Sequence, residues 1–244
     1  MKTNGNGNGK SNGRSTRFKD KSAVIFDLFG TLVNIPTKTE YMKLCKEMAK
    51  VLRVPFNDFM AFWDPDRSAR MTGHLSVESN LRKIVQTHLG QRRSDKVFAK
   101  AMKLYFKYHT KWMVPKVDAE KTVKMIKKRG YQLALMSNCS TAVSALWPKQ
   151  ALAKYFDATV LSCQVGLAKP DPKIYALVCK KLKVKPHQCV YVGDGGDGEL
   201  TAASECGMAA VRVEHHTEDG LMFHRDTKEV PILAMLSHLP DMMG

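Results

Sequence analysis

Two hydrophobic periods divide the chain. Ala23-Val24-Ile25-Phe26 is a short apolar run ending in the carboxylate Asp27. It reads as a buried strand that delivers Asp27 at its carboxyl end. Gly30 then lets the chain turn, and Thr31 places a hydroxyl close by. A helical period follows over about 38–114. Met42, Leu44, Cys45, Met48, Ala49 and Leu52 recur near helical spacing, and Pro55 with Asn57-Asp58 marks a break and a new start. Residues 76–89, with Ser76 as N-cap, read as another helix closed by Gly90, and residues 94–112 as a fourth. Four helices with no strand between them predict a helical insert over residues 37–114.

Alternation begins afterwards. Ala119–Lys128 is an amphipathic helix that stops at Gly130. Tyr131–Met136 is an apolar strand leading into Ser137-Asn138. A helical region over 140–154, a strand at Ala158–Ser162 and a helix over 172–182 come next. A strand at Cys189–Val192 runs into Gly193-Asp194, then a helix at Leu200–Cys206 and a strand at Ala209–Val213 complete the series. Strand alternating with helix predicts an α/β fold with a doubly wound parallel sheet, its core at residues 21–36 and 115–244. Ile232–Leu239 reads as a short terminal helix.

Composition adjusts this picture at the edges. Residues 1–20 carry the run Asn4-Gly5-Asn6-Gly7-Asn8-Gly9 and one large apolar residue, Phe18. Such a segment reads as a disordered basic leader. The formal charge is +16, which favours anionic ligands. No zinc-finger, RNA-recognition or basic-zipper pattern accompanies it, so no specific nucleic acid is expected. No apolar run approaches a membrane span. The six scattered cysteines suggest reduced thiols in a cytoplasmic protein.

Candidate chemistry collects at strand ends. In a doubly wound sheet Asp27, Ser137 and Asp194 all face one crevice outside the carboxyl edge. Lys169 adds a cation from the loop Gly166–Pro172, which Pro170 and Pro172 stiffen. Gly193-x-Gly195-x-x-Gly198 has the spacing of a dinucleotide fingerprint. It lies late in the sheet and holds Asp194, Asp197 and Glu199, acids that would repel a pyrophosphate. Those acids beside Asp27 suit a hard cation such as Mg²⁺. The plainer alternatives are a turn-capping Asp27, a turn-forming Ser137, a surface Lys169 and a solvated acidic loop.

Taken together, these stretches resemble the haloacid dehalogenase-like superfamily of hydrolases. Asp27-Leu28-Phe29-Gly30-Thr31 is similar to its first motif, Ser137 with Asn138 to the second, Lys169 to the third, and Gly193-Asp194 with Glu199 to the fourth. The resemblance implies a Rossmann-like core with the helical insert as a cap. It implies Asp27 as nucleophile, with Thr31, Ser137, Asn138 and Lys169 around it. It also implies Mg²⁺ held by Asp27, the backbone carbonyl of Phe29, Asp194, Glu199 and Asp197. A small anionic substrate and a monomer or homodimer are expected. One position departs from the family's phosphatases, which carry an acid two residues after the nucleophile where this chain has Phe29. That acid protonates the leaving oxygen, help worth ~10²–10⁴-fold. A halide needs no such proton, and family members that cleave carbon–halogen bonds have an aromatic residue there. Three readings follow: a phosphatase acting on a small phosphorylated metabolite, a dehalogenase-like hydrolase, or a catalytically impaired binding protein. The predicted insert also carries Trp63, Arg67, Arg70, His74, Tyr105, His109 and Trp112; most of them read as packing or solvated helix faces, some as facing a substrate, and they name none.

Overall fold

The computed structural model describes residues 17–90, 93–214 and 226–243. Strand β1 (Ala23–Phe26) is buried on both faces, as its unbroken apolar run requires. Five helices follow it: α1 (Lys38–Leu52), α2 (Phe56–Trp63), α3 (Arg67–Met71), α4 (Val77–Leu89) and α5 (Asp95–Trp112). The chain then alternates through α6 (Ala119–Lys128), β2 (Gln132–Ser137), α7 (Thr141–Leu146), β3 (Ala158–Leu161), α8 (Ser162–Val165) and α9 (Pro172–Leu182). It continues through β4 (Cys189–Gly193), α10 (Glu199–Glu205), β5 (Ala209–Val213), β6 (Ile232–Leu233) and α11 (Leu239–Met242).

The six strands form one parallel sheet in the order β3-β2-β1-β4-β5-β6. Each face has its own core. Val24 and Phe26 point into one with Phe18, Val123 and Ile126; Ala23 and Ile25 point into the other with Ile174, Tyr175 and Leu200. From β1 the chain winds outward through β2 and β3, then returns to the other side for β4. The resulting crevice lies at the carboxyl ends of β1 and β4, where Asp27 and Asp194 follow their strands. The five helices between β1 and α6 build a third core around Leu44, Met48, Phe59, Trp63 and Leu81.

Local chemistry sets several boundaries. Thr37 and Glu40 close a capping box at the start of α1, and the Ser76 hydroxyl accepts from the backbone N–H of Ser79 at 3.0 Å to start α4. Helix α3 was not expected; Pro65 interrupts the helical run and a short new helix restarts at Arg67. The helix expected over 140–154 ends at Leu146, because Pro148 cannot continue it, and two 3₁₀ turns take its place. The terminal helix expected at Ile232–Leu239 is instead the edge strand β6, a 3₁₀ turn and α11.

The leader expected over 1–20 also needs correction at its end. Residues 1–16 lie outside the described residues. Phe18, however, is buried in the sheet's core, and its N–H donates to the carbonyl of Met242 at 2.8 Å. One aromatic side chain with a place to pack outweighs the polar composition around it. No described helix is long and apolar enough to cross a membrane.

Candidate active site

Asp27 leaves β1 with its backbone still in the ladder, its N–H donating to Val192 at 2.9 Å. The turn beyond depends on Gly30, whose φ is +79°. A Cβ there would collide with the Asp194 carboxylate, so glycine alone lets the turn approach it. Gly193 allows a similar approach by Glu199. These small residues bring carboxyl oxygens of Asp27, Asp194 and Glu199 within 4.8 Å of one another, all three buried.

Lys169 threads into this cluster. Its Nζ donates to Asp27 Oδ1 at 2.6 Å, to Glu199 Oε2, and to the Tyr191 hydroxyl at 3.2 Å. Burial works against its charge, but Asp27 and Glu199 outweigh it and hold the ammonium well above its ordinary pKa. Glu199 also accepts from the Tyr191 hydroxyl at 2.6 Å and from the Gly195 N–H at 3.0 Å. Both of its oxygens are therefore occupied, which makes it the anchor of Lys169. Asp194 accepts from the Gly196 N–H at 2.9 Å. Burial, then the charges of Glu199 and Asp27, push the Asp194 carboxyl well above its usual range. Asp27 is raised to about 7, chiefly by burial and by Glu199 in opposition to Lys169. A cluster so strained electrostatically suits a divalent cation, and Asp27 and Asp194 are the two acids with most to gain from one.

The other expected residues take varied places. Ser137 is buried at the end of β2 and lines the cavity over the carboxylates. Asn138 works as a clamp: its amide donates to the Lys169 carbonyl and to Asp197, both at 2.9 Å, and accepts from the Lys169 N–H at 2.8 Å. Asp197, in left-handed conformation at φ 53°, is thus tied to Asn138 and stands outside the three-carboxylate cluster. Thr31 is fully buried beneath the turn, its hydroxyl without a partner among the described residues, and does not line the cavity. The Phe29 side chain does line it, packing against both the sheet core and the helical core.

The cavity encloses about 140 Å³ between the sheet's carboxyl edge and the five helices. Trp63, Arg67, Arg70, Tyr105, His109 and Trp112 line it; His74 does not. His109 is buried, lowered to about 4 by burial, and its Nδ1 lies 2.8 Å from the Tyr105 carbonyl. It is therefore neutral at pH 7, with Nδ1–H donating. Two residues near the cluster were missed in the sequence. Tyr191 stands out only as a polar tip in an apolar strand. Lys116, whose ammonium donates to the Gly30 carbonyl, carries no pattern at all.

Residues 21–207 match the family model of the haloacid dehalogenase-like hydrolases. A glyceraldehyde 3-phosphate phosphatase of Methanopyrus kandleri is 30% identical over 128 residues, 51% of this chain and 54% of that protein. Bifunctional epoxide hydrolase 2 of Sus scrofa is 30% identical over 209 residues, 78% of this chain and 36% of that protein. The chain thus spans about half or less of the length of these relatives. Among solved structures, L-2-haloacid dehalogenase from Xanthobacter autotrophicus, with chloropropionic acid covalently bound, superposes with a TM-score of 0.59 at 20% identity. That match covers 90% of this chain and 97% of the dehalogenase, a likeness of fold.

Proposed function

The chain belongs to the haloacid dehalogenase-like hydrolase family, and from that premise we propose that it is a Mg²⁺-dependent phosphatase acting on a small phosphorylated metabolite, with Asp27 as nucleophile. The observation that carries this reading is the convergence of Asp27, Asp194 and Glu199, with Asp27 and Asp194 both held toward their protonated forms. Asp27, Asp194 and the Phe29 carbonyl would hold Mg²⁺, with Glu199 and Asp197 supporting from behind through Lys169 and Asn138. When bound, the ion neutralises the carboxylates and draws in a phosphate dianion.

Asp27 Oδ attacks phosphorus, and the bond from phosphorus to the leaving oxygen breaks. The electron pair leaves with that oxygen, which takes a proton from solvent because Phe29 has none to give. Water then attacks the aspartyl phosphate, releasing inorganic phosphate and restoring the carboxylate. Lys169 fixes the Asp27 oxygen at 2.6 Å, and Ser137 and Asn138 position the phosphoryl group and the loop behind it. Without an acid at position 29, acyl and aryl phosphates, whose leaving groups are weak bases, turn over faster than alkyl phosphates.

A second reading, a dehalogenase-like hydrolase, draws on Phe29 as part of an apolar cavity wall. The test is a panel of aryl, acyl and alkyl phosphates and 2-haloacids, each with Mg²⁺ and with EDTA. Phosphate release that stops in EDTA is the expected result. Halide release without phosphate release transfers the assignment to the second reading. Turnover of neither leaves the impaired binding protein.

A further inference from the structure

Arg70 occupies the cavity wall opposite the carboxylates, and it is 2% exposed. Its guanidinium carbon lies 3.7 Å from the centre of the Trp63 ring. Nη1 donates to the Trp63 carbonyl at 2.5 Å and to Asn80 Oδ1 at 2.6 Å. These acceptors are neutral, and among the described residues they are its only hydrogen-bond partners. The nearest acid in the network, Asp66, is reached only through the Asn80 amide, which donates to it at 2.7 Å. Asp66 is itself paired with Lys83 at 2.8 Å. A buried guanidinium with no carboxylate is costly to keep, and it stays charged because arginine does not release its proton. Its Nε and Nη2 keep three N–H groups in the fork that suits a carboxylate or phosphate. A second unmet donor lies close by: Trp112 lines the same cavity, and its Nε1 is buried with no partner among the described residues.

We propose that Arg70 binds a second anionic group of the substrate, so that the substrate is a phosphorylated compound bearing a further carboxylate or phosphate on its body. This rests on the phosphatase reading, in which the first phosphate meets Asp27. The body lies between the two ends against Trp63 and Tyr105. A purely structural Arg70, holding α2, α3 and α4 together through Trp63 and Asn80, is the competing account. It predicts no dependence on the far end of the ligand.

The test compares kcat/KM for phenyl phosphate, 4-carboxyphenyl phosphate and 1,4-phenylene bisphosphate in the parent, Arg70→Gln and Arg70→Lys. The readout is the ratio of each acid-bearing ester to phenyl phosphate within one protein, so loss of folded enzyme cancels. The parent is expected to prefer one acid-bearing ester by on the order of 10- to 100-fold, the weight of charge-assisted hydrogen bonds. Which ester gains identifies the second group. Arg70→Gln should bring the ratio to within about threefold of unity, and Arg70→Lys, a point charge without the fork, to an intermediate value. A parent with no preference, or a preference that survives Arg70→Gln, overturns the proposal. If none of the esters is hydrolysed, the phosphatase reading fails on its own. Calorimetric titration with benzoate then decides for Arg70: binding to the parent that Arg70→Gln abolishes supports it, and equal or absent binding overturns it.

Discussion

Lys169→Met separates the electrostatic account of the cluster from mere packing. Methionine nearly matches the length of the lysine stem but removes the ammonium that touches Asp27 Oδ1 and Glu199 Oε2, both buried. Breaking a buried ion pair by removing one partner costs about 3–5 kcal/mol. In a chain of this size, ~2–4 °C of melting temperature accompany each kcal/mol. Together these give a loss of about 6–20 °C at pH 8 in EDTA. The pH dependence follows from the direction of the Asp27 shift. Its folded pKa, about 7, lies above the unfolded value of 3.8. Its stabilising contribution is therefore complete below the unfolded value and is lost as pH rises through about 7. The variant lacks the cation that opposes this, so its carboxylates must take up an additional proton. That proton is ~4 kcal/mol cheaper at pH 5 than at pH 8. The deficit should thus shrink to a few degrees at pH 5, as followed by thermal melts of both proteins. A deficit below about 3 °C at pH 8, or the same deficit at both pH values, refutes the reasoning.

Three further outcomes are expected. Phe18→Ala removes a buried ring from the sheet's core, so by the usual ~3–5 kcal/mol its melting temperature should fall by several degrees; an unchanged melt means the segment is not docked. Phe29→Asp supplies an acid two residues after Asp27. Its hydrolysis of an alkyl phosphate should rise by part of the ~10²–10⁴ range, less if the carboxyl is misplaced in a space shaped for a phenyl ring; a fall in activity favours the carbon–halogen reading. Asp194→Asn should weaken Mg²⁺ binding by calorimetry at least tenfold, and equal affinity would remove Asp194 from the metal site.

The sheet was legible because its strands are short apolar runs ended by Gly or Asp, and a parallel sheet buried on both faces demands such runs. Asp27 and Asp194 were legible for the same reason: each follows the strand that places it. The roles of neighbours were harder to read. Asn138 and Asp197 stand beside reactive residues in the chain, yet spend their side chains on each other and on the Lys169 loop. Glu199 was grouped with the metal ligands, but its oxygens are taken by Lys169, Tyr191 and Gly195, a network no spacing encodes. Thr31 is one residue past a left-handed glycine, and that turn buries its hydroxyl. Arg70 and Trp112 looked like ordinary members of helix faces. Only the packing of α2 to α5 shows that Arg70 meets neutral acceptors alone and that Trp112 Nε1 is buried with no partner among the described residues. Phe18 was hidden by the polar residues around it, since one anchored ring leaves no periodic trace.

The central claim is that Asp27 itself takes the phosphoryl group. Rapid quenching of the enzyme with radiolabelled acetyl phosphate, followed by peptide mapping, addresses it directly. The account predicts label on the peptide spanning Asp27 in the presence of Mg²⁺, none in EDTA, and none in Asp27→Asn, which keeps the shape of the side chain but not the attacking charge. Full phosphate release by Asp27→Asn, or turnover by the parent with label on another peptide, would contradict it.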